Sequence, residues 1–108
     1  MTINRSLSRN LSIVAVGVLL VALFSVYLPV AHAAAFTVNS LNDAVDAAPG
    51  DGACLTAGGV CTLRAALEEA NAWAGADTIG FSVTGTISLS LGTQLVASES
   101  VSITATNI

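Results

Sequence analysis

The chain has 108 residues, 54% of them hydrophobic, and seven Asp or Glu outweigh three cations, all arginine, for a formal net charge of −4. An acidic chain without lysine repels phosphate backbones, so nucleic acid is excluded as an expected partner. The hydrophobic excess is concentrated at one end, and that concentration sets the organisation of the rest.

Residues 1–33 read as a secretory signal peptide. Arg5 and Arg9 supply the positive start, Leu11 to Leu28 is an apolar run, and Pro29 breaks it. Ala31 and Ala33 flank His32 in the small-x-small pattern that a signal peptidase pocket admits. Cleavage after Ala35 is a second option. The competing reading is a retained anchor, because a run of about 18 apolar residues can just span a bilayer; Pro29 and the alanine-rich exit favour cleavage. The expected location is secreted or cell-surface, with membrane contact only through the leader during export.

Beyond the leader, Arg64 is the one cation against seven acids, a formal side-chain charge of −6. What is left makes one small domain at most, marginal without a staple or a neighbour. Cys54 and Cys61 are the only cysteines. In an exported chain such a pair reads as a disulfide rather than two free thiols. Their spacing is too wide for a C-x-x-C redox motif, and the only His lies in the leader, which makes a poor zinc site.

Phe36-Thr37-Val38-Asn39 alternates as a short strand does. Ser40 to Gly59 is loop-like, with turn signals at Asn42-Asp43, Pro49-Gly50-Asp51-Gly52 and Gly58-Gly59. Cys61 to Ala74 is the one clear helix. Thr62 is its expected N-cap, and Leu63, Ala66, Leu67 and Ala70 form one apolar stripe. Arg64 and Glu68 fall at i, i+4 spacing on the flank, and Gly75 is the expected stop. Trp73 reads as a packing residue.

From Thr78 the period switches to two. Thr78 to Phe81, Gly85 to Leu91, Gln94 to Val96 and Ser100 to Thr104 alternate, with inward faces Ile79/Phe81, Ile87/Leu89/Leu91 and Val101/Ile103. Ile79 to Val101 and Phe81 to Ile103 are each about 22 residues apart, a step at which strands of a coil stack on their counterparts. A β-hairpin meander would alternate similarly.

The run Cys61-Thr62-Leu63-Arg64-Ala65-Ala66-Leu67-Glu68-Glu69-Ala70-Asn71-Ala72 resembles the signature of the CSLREA-type domain, found at the N-terminus of exported right-handed parallel β-helix repeat proteins. Phe36 to Asn39, Asp51-Gly52-x-Cys54, Ala76-Asp77-Thr78-Ile79-x-Phe81 and Gly85 to Leu89 extend the likeness over essentially all of the chain after the leader. Thr62 stands for the usual Ser, which preserves the cap. Ala65 stands for the usual Glu, which removes an acid from the first helical turn. The resemblance maps the family's cysteine pair onto Cys54 and Cys61. It implies a mainly β fold with one capping α-helix: residues 34–77 as an N-terminal cap, residues 78–108 as the first coil or coils of an incomplete right-handed parallel β-helix. A solenoid needs about three repeats, so the chain reads as the front of a longer protein or a truncated gene product.

Little in this sequence points to chemistry. No Ser-His-Asp or Cys-His set is possible after the leader, and Glu68 and Glu69 read as solvated groups of a polar helix face. Asp43, Asp46 and Asp51 sit in a glycine-containing loop of the kind calcium favours, but their spacing matches no EF-hand, and no metal or cofactor is expected. The expected function is therefore non-catalytic: a capping module of a secreted or surface β-helix protein, structural or adhesin-like, with a surface or polysaccharide partner. The alternative is the leading fragment of a β-helix polysaccharide lyase or glycoside hydrolase whose active site lies beyond residue 108; paired acids on a strand face would mark it.

Overall fold

A computed structural model describes residues 30–105. The core of the expected signal peptide lies outside the described residues, as do the last three positions. Among the described residues no helix is long and apolar enough to cross a membrane.

Four elements follow in chain order: β1 (Ala35–Val38), α1 (Leu63–Ala72), β2 (Asp77–Phe81) and β3 (Val101–Ile103). The strands form one parallel sheet in the order β1-β2-β3. Phe36 pairs with Ile79, and Ile79 with Ile103, so three large apolar residues stack as rungs of a ladder. Parallel neighbours need a crossover between them; the first carries the cysteine loop and α1, the second runs from Ser82 to Ser100.

The step from β2 to β3 is 24 residues, from Ile79 to Ile103, and not the 22 of the sequence reading. A shift of two preserves which side chains face inward, because strand side chains repeat every second residue. The connection detours outward to α1, which holds it at Thr93, Gln94, Val96 and Ser98, and this detour accommodates the longer step.

Two expected strands are absent. Gly85 to Leu91 and Gln94 to Val96 are irregular. Alternation alone makes no strand: among the described residues no neighbouring strand lies beside them, and the Leu91 N–H donates to Asp43 Oδ2 instead. Leu89 and Leu91 are consequently exposed, and Ile87 is half-buried in a cleft of about 350 Å³ with Leu41, Phe81 and Val83. The expected inward strand face of Ile87, Leu89 and Leu91 is not formed.

The core joins α1 to the sheet. Ala66, Leu67 and Ala70 pack with Phe36, Val38, Cys61 and Ile79, and half-buried Leu63 and Phe81 flank them. The helix ends earlier than its glycine suggests. Trp73 is already extended, with φ −110° and ψ 137°, and its N–H returns to the Ala70 carbonyl. Gly75 serves a different need: at φ +156° a Cβ there would lie 2.3 Å from the His32 carbonyl oxygen.

Candidate functional site

Among the described residues, three of the six buried polar side chains, Thr62, Arg64 and Glu69, lie in the run from Cys61 to Trp73. At its start, Thr62 Oγ1 accepts from the Ala65 N–H at 3.1 Å, which caps the helix, and donates to the Ala44 carbonyl at 2.6 Å, which ties the preceding loop to the cap. Asn39, just past β1, accepts from the Cys61 N–H through Oδ1 and donates its own N–H to the Cys61 carbonyl. A disulfide joins Cys54 to Cys61 across a Cα–Cα distance of 5.1 Å. Such a bond fits an oxidising compartment.

The helix's polar side chains are not the solvated face that their charge suggests. Glu69 is 0% exposed. Its Oε2 accepts from the Gly50 N–H at 2.7 Å, and its Oε1 from the Gly52 N–H and from Trp73 Nε1. Gly50 and Gly52 have φ of +97° and +87°, a conformation that costs glycine little and that turns both N–H groups toward one carboxylate. Glu68 is half-buried and accepts from the Asp46 N–H at 2.6 Å.

Arg64, which the sequence places on the helix flank at i, i+4 spacing from Glu68, is 7% exposed. It pairs instead with Asp43, Nε to Oδ1 at 2.6 Å, and donates through Nη2 to the Thr93 carbonyl at 2.8 Å. The guanidinium, helped by the Leu91 N–H, holds the Asp43 carboxyl below its ordinary range; Asp43 in turn raises Arg64. Asn71 completes this side, donating to the Val96 carbonyl and accepting from the Ser98 N–H. Glu68 and Glu69 thus hold the loop before α1, Asn71 holds the connection after it, and Arg64 holds both.

No family of known proteins, no curated protein and no solved structure matches the chain.

The three loop aspartates do not converge. Asp43 turns to Arg64. Asp46 accepts from the Ala48 and Leu55 N–H groups, one at each oxygen, and Asp51 accepts from the Ala53 N–H. Asp46 and Asp51 come within 4.8 Å of Glu69. The donors around these carboxylates are backbone N–H groups and the Trp73 indole N–H, however, which a cation would have to displace. The arrangement is that of a clamp: Asp46, Glu68 and Glu69 accept from backbone N–H groups, and Arg64 pairs with Asp43 and donates to the Thr93 carbonyl. The expected cap face lies at the centre of it, with Ala66, Leu67 and Ala70 buried and Leu63 half-buried. Ala31 and Ala33 lie exposed before β1.

The sequence reading gave no hydrogen-bonding role to Asn39, Asn71 or Asp77 and placed Glu69 in solvent. A usable signal existed for one of them: two glycines in i, i+2 spacing present N–H groups that need an acceptor, and a helix carboxylate downstream is the natural one. Asp77 has no such signal. It opens β2, where the sequence reading places no acid in any strand, and it is 1% exposed.

Proposed function

We propose that this chain is a non-catalytic capping module at the N-terminal end of an exported right-handed parallel β-helix, of the CSLREA type, structural or adhesin-like in use. The observation that carries the reading is the double clamp of α1. Arg64, Glu68, Glu69 and Asn71 all hydrogen-bond to backbone, and together they reach both flanking segments. A helix equipped in this way fastens a coil rather than processes a ligand.

The ladder supports the same reading. Ile79, the middle rung, is 1% exposed, whereas Ile103 keeps 49% of its surface, as a rung would on which a further turn stacks. Bare apolar ends and unpaired strand edges invite association, and a cap exists to prevent it. The lyase or hydrolase alternative asks for paired acids on a strand face; in the described strands the one acid, Asp77, is buried.

The test is solubility. Leu67 sits in the core beside Phe36 and Ile79, so Leu67→Asp removes packing and buries an unpaired charge. The exported variant should elute as aggregate in size-exclusion chromatography, while Glu99→Gln, on the exposed surface, should elute as the parent does. A Leu67→Asp variant as soluble and heat-stable as the parent would overturn the capping role.

A further inference from the structure

We propose that cleavage of the Ala33–Ala34 bond creates an α-ammonium group that becomes the buried partner of Asp77, so that removal of the leader completes the fold. The inference rests on the export reading above and goes beyond it, by choosing between two bonds and giving the new terminus a structural task.

Asp77 is 1% exposed at the start of β2. Its Oδ1 accepts from the Ala34 N–H at 2.8 Å. Its Oδ2 is buried with no hydrogen-bond partner among the described residues. A buried carboxylate with a single neutral donor is costly, since buried polar atoms ordinarily find partners and buried charges find counter-charges. The missing donor and the missing positive charge would both come from one atom already in place. In the intact chain Ala34 N is an amide with one proton, already given to Oδ1. Hydrolysis breaks the Ala33 C–N bond, with water as co-reactant and a signal peptidase as catalyst. The oxygen of water goes to the Ala33 carboxylate, and the released amine takes up a proton. The resulting ammonium carries three N–H donors and a unit charge. Oδ1 keeps its bond, and a small rotation of the carboxylate brings Oδ2 to a second proton.

Ala34 is held on its other side too, because its carbonyl accepts from the Thr78 N–H at 2.9 Å. The new terminus is therefore fixed against β2 and does not fray. The pattern of small residues permits cleavage after Ala33 or after Ala35. Only the first leaves an amine on Asp77; the second removes Ala34 and leaves both carboxylate oxygens unpartnered. What departs is held by less: His32 donates its N–H to the Ala74 carbonyl and lays its ring edge-on against Trp73 at 6.2 Å.

The composition makes the test specific. The chain contains no lysine, so the α-amine is the only primary amine that an acylating reagent can find. The full chain is expressed with its own leader in a secreting bacterial host, and the exported product is weighed intact. It is then treated at pH 7 with N-hydroxysuccinimidyl acetate, native and in urea. Pairing with a carboxylate raises an amine above its free value of about 8 and depletes the reactive neutral form roughly tenfold per unit. The expected product begins at Ala34 and is acylated at least about tenfold more slowly when native than in urea, with Asp77→Asn removing most of the protection. A product beginning at Phe36 overturns the inference and leaves export standing; one beginning at Met1 overturns both. A product beginning at Ala34 whose native and unfolded rates agree also overturns it, as does full protection in a folded Asp77→Asn variant. If Asp77→Asn does not fold, the parent's native-to-urea ratio alone decides.

Discussion

Glu68 and Glu69 are adjacent and chemically identical, yet one is half-buried and the other fully enclosed. Helix geometry turns neighbours about 100° apart, and the loop from Gly50 to Gly52 closes over one of the two directions. Glu69 has three N–H donors for its two oxygens. Glutamine would offer a single carbonyl oxygen and set an NH₂ against a donor, so Glu69→Gln should cost about 1–3 kcal/mol, read as a lower urea midpoint; an unchanged midpoint would remove Glu69 from the clamp. Asp43 gives a pH signature. Folding depresses its pKa, chiefly through Arg64. A depressed carboxylate adds stability above its unfolded value of about 4 and loses it as pH falls through the folded value. Asp43→Asn should therefore melt below the parent at pH 7, and the gap should close on acidification below about pH 4. A gap that persists there would show that the charge of Asp43 is not what matters.

At the level of elements, local signals were legible and long-range ones were not. The helix, its Thr62 cap, the three strands β1, β2 and β3 and the cysteine pair are written in neighbouring residues: an i, i+3, i+4 stripe, a hydroxyl before it, alternation, and two thiols in a short loop. The Arg64 pairing joins residues 21 apart, and Asn71 reaches 25 and 27 residues ahead; no periodicity encodes these. Gly85 to Leu91 misleads for the complementary reason, since its alternation is real but a strand needs a neighbour to pair with. The disulfide is the staple on which this small assembly depends, holding the loop start at Cys54 to the residue before the helix cap. Closing so short a loop is worth about 2–3 kcal/mol in the chain-entropy account. Reductant should lower the urea midpoint of the exported protein correspondingly. A midpoint insensitive to reductant, with both thiols then alkylatable, would show that the hydrogen bonds around Asp46 and Thr62 hold the loop unaided.

For the whole molecule, the decisive property is the direction of the strands. Hairpins would pair β2 with its near sequence neighbours, whereas the parallel sheet pairs residues 43 apart, as Phe36 and Ile79, and 24 apart, as Ile79 and Ile103. The sequence pattern allowed both a stacked coil and a meander, because alternation repeats identically in each. The choice follows from the length of the crossovers and from α1, which lies against the sheet and fastens both connections. Both the cap and the new terminus on Asp77 depend on this parallel stack. Methyl-labelled NMR of the exported protein tests it most directly. The account predicts nuclear Overhauser contacts from the Ile79 methyls to the Phe36 ring on one side and to the Ile103 methyls on the other, with further contacts to Leu67. Contacts from Ile79 to Ile87 or Leu89, with none to Ile103, would contradict it.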